Sequence, residues 1–141
     1  MTGRPVRVRD ASGGPYEDAF GYSRAVRVGD EIHVSGCTAV VDGQVRHVGD
    51  AGAQARVALD AALAAVERLG GRVSDVVRTR MYVTDRADCE AVGLAHGDRL
   101  GAVRPAATMV VVAGLVDPAM LVEIELDARL PGEEAGAEGQ R

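Results

Sequence analysis

Lysine, asparagine and tryptophan are missing from this chain of 141 residues, and its 16 basic residues are all arginine. Without lysine there is no Schiff-base nucleophile, no attachment point for pyridoxal phosphate and no Walker-type phosphate loop. Without asparagine there is no N-glycosylation acceptor. Lysine and asparagine use A/T-rich codons while arginine, alanine and glycine use G/C-rich ones, so the bias reads as that of a G/C-rich genome. Rings are scarce too: Tyr16, Phe20, Tyr22 and Tyr82 are the only aromatics, and the net charge is −5. An acidic chain with so few rings lacks the basic stripe and the stacking platforms of nucleic-acid binders, so no nucleic-acid partner is expected. Cys37 and Cys89 form no CxxC pair, which fits two free thiols in a reducing compartment. His33, His47 and His96 share no metal-ligand spacing, so neither a metal nor another cofactor is expected. No apolar run approaches the roughly 20 residues of a membrane span, and residues 1–14 carry no apolar signal core. The expectation is a cytoplasmic protein without a membrane partner.

What is present suffices for one domain of Val, Leu and Ala. Residues 1–15 read as a flexible arm, 16–130 as a single folded domain, and 131–141 as a disordered acidic tail. Ser23 to Val28 and Glu31 to Ser35 are apolar-alternating runs joined by Gly29-Asp30, the signature of a β-hairpin. Ala39 to Arg46 reads as a third short strand turning at Asp42-Gly43. Asp50 can cap a helix running to Leu69, with Val57, Leu59, Leu63, Val66 and Leu69 near one face and Gly70-Gly71 as its stop. Val76 to Thr84 alternates as a strand, with Val77, Thr79, Met81 and Val83 on one side and Arg78, Arg80 and Tyr82 on the other. Asp85 precedes a second helix over 86–100, and strands are predicted over Thr108 to Ala113 and Met120 to Arg129. The last places Met120, Val122, Ile124 and Leu126 opposite Leu121, Glu123, Glu125 and Asp127.

This order predicts an α/β sandwich, a mixed sheet with both helices on one face. The other face carries Arg78 and Arg80 against Glu123 and Glu125, mixed with apolar residues, and is expected to be covered by another copy of the chain.

The segments Gly21-Tyr22-Ser23-Arg24-Ala25-Val26, Val34-Ser35-Gly36, Asp75-Val76-Val77, Tyr82-Val83-Thr84-Asp85, Arg104-Pro105-Ala106 and Leu121-Val122-Glu123-Ile124-Glu125, in this order and spacing, resemble the Rid family (YjgF-like, reactive intermediate deaminases) over about residues 16–130. The resemblance implies a chorismate-mutase-like fold, a homotrimer around a central barrel, and small-molecule clefts between subunits. Archetypal members hydrolyse reactive enamines and imines to 2-keto acids and ammonia. Carried over, Tyr22 matches the cleft tyrosine, Ser35 and Gly36 the backbone facing the ligand, and Glu123 the acid that holds a water. One departure stands out. Where archetypal members carry an arginine that clamps the substrate carboxylate, this chain reads Pro105-Ala106-Ala107-Thr108. Met109 stands where many members have cysteine, and Cys37 where glutamine is frequent.

Each candidate has a plainer reading beside it. Glu123, flanked by Glu125 and Asp127, suits a general acid or base near neutral pH, or a barrel-lining acid paired with Arg78 or Arg80. Tyr22 donates to a ligand carbonyl or fills a subunit seam. Cys37 lies beside the cleft, but His33 is about 13 Å away by strand rise, so a buried small hydrophobe is favoured over a nucleophile. Cys89 reads as packing. Arg104 either substitutes for the missing clamp or makes a surface contact. The function expected is imine or enamine hydrolysis at an inter-subunit cleft, catalysed by Glu123 and Tyr22 with Ser35, Gly36, Cys37, Arg104, Ala107, Thr108 and Met109 lining it, and with a substrate other than 2-aminoacrylate. The alternative is a non-catalytic trimer that binds a metabolite or a protein.

Overall fold

The structure, a computed structural model, describes residues 3–132. Its elements are β1 (Arg7–Asp10), α1 (Pro15–Phe20), β2 (Ala25–Val28), β3 (Glu31–Cys37), β4 (Val40–Val41), β5 (Gln44–Val45), α2 (Ala51–Arg68), β6 (Val76–Val83), α3 (Cys89–Leu100), β7 (Ala106–Val111) and β8 (Val122–Arg129). Six strands form one sheet in the order β1-β2-β3-β8-β6-β7. Only β6 and β7 run parallel, joined through α3 as parallel neighbours must be by a crossover. The result is the expected mixed sheet with α2 and α3 on one face. Among the described residues no helix is long and apolar enough to cross a membrane.

The local signals explain most of these elements. Gly29 takes φ +62° in the β2–β3 turn, a conformation that costs glycine nothing. Asp50 caps α2 by accepting from the Ala53 amide at 3.0 Å. The helix stops where Gly70 turns left-handed (φ +94°) and the Gly71 amide donates back to the Val66 carbonyl. The stripe α2 buries is mainly alanine, with Leu59, Leu63 and Val66 among Ala51, Ala55, Ala58, Ala62 and Ala65. Small side chains let the helix sit close to the sheet, against Ile32, Val34, Ile124 and Leu126.

Several expectations shift. Arg7–Asp10 lie in the stretch read as a loose arm but pair with β2, Arg9 opposite Val26. The run 39–46 is not a third strand of the sheet. Asp42 and Gly43, both at positive φ, fold it into a two-residue ribbon, β4 with β5, apart from the main sheet. The second helix begins as a 3₁₀ turn over Arg86–Asp88 before α3 proper. Strand β7 starts at Ala106 rather than Thr108, which brings Ala107 into the sheet. Along β6 the register slips between Val76 and Arg78, so Val76 is buried while Val77 is 49% exposed. Alternation in β8 holds as read: Val122, Ile124, Leu126 and Ala128 are buried, and Glu123, Glu125 and Asp127 occupy the opposite face. All but Pro131 and Gly132 of the acidic tail lie outside the described residues.

One buried polar side chain ties the ends of several elements together. Gln54 of α2 is fully buried and donates to the carbonyls of His47 (3.2 Å) and Ala119 (3.0 Å), while accepting from the Leu121 amide (2.9 Å). Gln54→Leu keeps the volume but strands those backbone groups, and is expected to lower unfolding free energy by about 2–3 kcal/mol, read as a lower urea midpoint. An unchanged midpoint would show that the three bonds contribute nothing net.

Candidate functional site

Strand β3 is not regular where the candidate residues fall. Its pairing with β8 runs Val34 to Leu126 and then Cys37 to Ile124, so Ser35 and Gly36 make a bulge with one extra residue. Into this bulge lies the side chain of Glu123. A Cβ built on Gly36 would stand 2.7 Å from the Glu123 carboxyl carbon and overlap its carboxylate. A Cβ at position 36 would turn the flexible end of Glu123 aside, so what glycine provides here is close approach, since Gly36 does not have positive φ.

The bulge is held from beneath. Arg24, just ahead of β2, donates from Nη1 to the carbonyl oxygens of Gly36 (2.6 Å) and Ser35 (3.2 Å) and lies 3.2 Å from Cys37 Sγ. Its other terminal nitrogen lies 3.9 Å from Glu17 of α1, and its guanidinium carbon is 5.9 Å from the centroid of the Tyr22 ring. Glu17 is buried and bonded to the Ser12 hydroxyl and to the amides of Ser12 and Gly14. Burial acts to raise its pKa, but these bonds and the Arg24 charge hold the carboxyl below the usual range. The Ser35 hydroxyl donates to the Ser23 carbonyl at 2.7 Å, which fixes the segment carrying Tyr22. Tyr22, 39% exposed, follows the left-handed Gly21 that ends α1.

Glu123 differs from its neighbours. Along the same face Arg80 pairs with Glu125 (3.7 Å) and Asp127 (3.3 Å), His33 Nδ1 lies 2.7 Å from Asp127, and the Tyr82 hydroxyl donates to Glu125 at 2.5 Å. Arg78 instead donates to the Thr108 hydroxyl at 3.1 Å. Among the described residues Glu123 has no ion pair and no hydrogen bond from a side chain, so the pairing with Arg78 or Arg80 is not what is found. Burial pushes its carboxyl above the usual range, Glu125 adds to this, and Arg24 opposes it. Cys37 is 4% exposed, and burial pushes its thiol up, with Arg24 again opposing. That is the environment of an inert packed thiol.

The structure thus brings Ser35, Gly36, Cys37 and Glu123 together, with Tyr22 joined to them through Arg24, and it leaves the other four candidates elsewhere. Ala107, Thr108 and Met109 lie on edge strand β7, separated from β8 by β6, about 10 Å at sheet spacing. Thr108 shares the polar face, Ala107 is exposed, and Met109 packs towards the helices, its methyl 3.7 Å from where a Gly93 Cβ would be. Arg104 is exposed, takes φ +56°, and its amide closes the end of α3 on the Leu100 carbonyl. Sequence reasoning passed over Arg24 and Glu17. Arg24 stood within the Gly21-to-Val26 motif but carried no role from it, since its partners come from separate elements. Among the described residues no cluster of three or more His, Cys, Asp or Glu side chains is placed to hold a metal ion.

Known proteins carry the same arrangement of chain. The model of the family described as endoribonuclease L-PSP matches residues 16–130. An uncharacterised protein of Streptomyces coelicolor is 39% identical, covering 91% of this chain and 95% of its own. The 3-aminoacrylate deaminase RutC of Acinetobacter baylyi is 34% identical, covering 73% of this chain and 82% of its own. The crystal structure of a YjgF-family member from Mycobacterium tuberculosis superposes with a TM-score of 0.81 at 42% identity, covering 89% of this chain and all of that one. The chain therefore belongs to the endoribonuclease L-PSP family, which is the YjgF or Rid family.

Proposed function

We propose that this protein hydrolyses a small imine or enamine at a cleft completed by a second copy of the chain, with Glu123 activating the water. The observation that carries this reading is the half-buried Glu123 carboxylate, without an ion pair among the described residues and seated against Gly36 at the β3 bulge. An acid whose affinity for protons is raised suits proton transfer near neutral pH. In the step proposed, Glu123 takes a proton from water as its oxygen bonds to the C=N carbon, and returns it to the nitrogen. The hydroxyl proton of the resulting carbinolamine then passes through Glu123 to the nitrogen as the C–N bond breaks, releasing ammonia and a carbonyl compound; an enamine enters the same step after its tautomerisation to the imine. Tyr22 and the Ser35-Gly36 backbone orient the substrate. A relative named as a 3-aminoacrylate deaminase supports this class of reaction.

A second copy is invoked because one chain separates its candidates. Glu123 and the bulge lie at β8 and β3, whereas Arg104, Ala107, Thr108 and Met109 lie at the free edge beyond β6. Packing of copies in a cytoplasmic homotrimer, β7 of one near the bulge of the next, would unite the two sets and cover the charged sheet face. At position 107 a bidentate arginine contact to a carboxylate is missing, and alanine offers no replacement. The preferred substrate is therefore one without the usual α-carboxylate.

Ala107→Arg is expected to confer hydrolysis of 2-iminopropionate, at least about tenfold above the parent protein, because the exposed edge accepts the longer side chain without disturbing the core. Were the variant as inactive as the parent, a changed substrate would no longer be the explanation, and the non-catalytic reading would gain.

Glu123→Gln is expected to lose turnover by about 10²-fold or more, and intact turnover would remove the proposed mechanism. The same change bears on stability. Folding raises the affinity of Glu123 for its proton, so its contribution is most favourable at low pH. It is lost as pH rises from the ordinary carboxylate range through the raised value of Glu123. The Glu123→Gln variant should therefore melt higher than the parent at pH 7, with the difference vanishing below the ordinary carboxylate range. A lower Tm at pH 7 would contradict the burial cost assigned to this acid.

A further inference from the structure

We infer that Arg24 is a positioning residue for Glu123, holding the Ser35-Gly36 bulge in the shape that receives the carboxylate while making no ion pair with it. The inference rests on the reading of Glu123 as the reacting acid, but it concerns a different residue and a different contact.

Three observations lead to it. First, Arg24 and Glu123 meet the same residue from two directions. Arg24 binds the Gly36 carbonyl at 2.6 Å, and Glu123 occupies the space where a side chain at Gly36 would begin. Second, the two charges are near enough for the guanidinium to act on Glu123 by its field, yet no nitrogen of Arg24 lies within 4.0 Å of the Glu123 carboxylate, while its contact with Glu17 is recorded at 3.9 Å. A charge partnered elsewhere leaves the carboxylate oxygens of Glu123 free for a ligand or a water. Third, Arg24 also lies 5.9 Å from the centroid of the Tyr22 ring and 3.2 Å from Cys37 Sγ, so one guanidinium reaches Tyr22, Ser35, Gly36 and Cys37. Arginine suits this task because its planar fork offers several donors in fixed directions, whereas lysine presents a single ammonium.

The groups facing Glu123 are few enough for a clean test. On its own strand there is Glu125, already bonded to Tyr82 and near Arg80. Across on β6 the paired residue is Tyr82, and on β3 the neighbours are Ser35, Gly36 and the Cys37 thiol. Arg24 is the one cation acting on Glu123 from the β2 and β3 side among the described residues.

The experiment follows the side-chain carboxyl ¹³C signal of Glu123 in the full-length protein through a pH titration, together with the Gly36 amide signal. In Arg24→Met the midpoint should rise by about half a pH unit or more, a threefold gain in proton affinity, and the Gly36 amide should shift. Arg24→Lys should return the midpoint most of the way while leaving the Gly36 amide displaced, because it restores the charge and not the fork. Should Arg24→Met fail to fold, Arg24→Gln serves in its place: it keeps donors without charge, so the midpoint should rise with the Gly36 amide near its parent position. A folded Arg24→Met whose Gly36 amide keeps its parent position, or a folded Arg24→Met or Arg24→Gln whose Glu123 midpoint matches the parent, overturns the inference. These readouts do not depend on turnover. If Glu123→Gln leaves turnover intact while the midpoint still moves with Arg24, the proposed function falls and the positioning role stands.

Discussion

The close approach of the Glu123 side chain to the backbone of Gly36 is the contact on which the rest of the site depends. It goes with the absence of a Cβ at position 36 and with an extra residue in β3, so that two residues lie between Val34 and Cys37 where β8 has one. It also requires something to hold the displaced carbonyls, which Arg24 does. Without the bulge, β3 and β8 would pair evenly, and the space into which the carboxylate reaches would be closed by a regular ladder.

Around that contact the polar sheet face divides its charges unequally. Arg80 serves both Glu125 and Asp127, His33 adds to Asp127, and Tyr82 to Glu125. Among the described residues Glu123 is left half-buried with no such partner, which costs folding free energy and raises its proton affinity. An isolated acid of this kind is poorly explained by stability alone, and this is what supports the role proposed for Glu123. Cys37 differs from it: the residue is 4% exposed and burial pushes its thiol up, which is the setting of a packed thiol.

Elements whose pattern is local were legible in the chain. The β2–β3 hairpin, the capped α2 helix and the alternation of β8 follow from turn glycines, an aspartate cap and period-two burial, and each stands where it was read. Where long-range pairing decides the outcome, the reading shifted. Arg7–Asp10 is too polar to announce a strand, and it becomes one because the edge of β2 offers hydrogen-bond partners. Val77 follows the alternation of β6 on paper, yet the register slip against β8 turns it outward. The short runs around Asp42-Gly43 had the turn signal of a hairpin, but their two-residue strands never join the sheet.

The amino-acid sequence by itself determined the fold class, the family and the identity of Tyr22, Ser35, Gly36 and Glu123 as candidates, because turn residues, caps, periodicity and the order of short motifs are all properties of neighbouring positions. It also shows alanine at position 107, where the family resemblance leads one to expect an arginine. Only the tertiary structure decided that Glu123 lies in a bulge rather than in a salt bridge, that Arg24 joins the group, and that Arg104, Ala107, Thr108 and Met109 stand across an intervening strand. The physical reason is the same in each case: these outcomes depend on sheet register and strand order, which bring together residues separated by up to about a hundred positions, and no local pattern encodes which of them will meet.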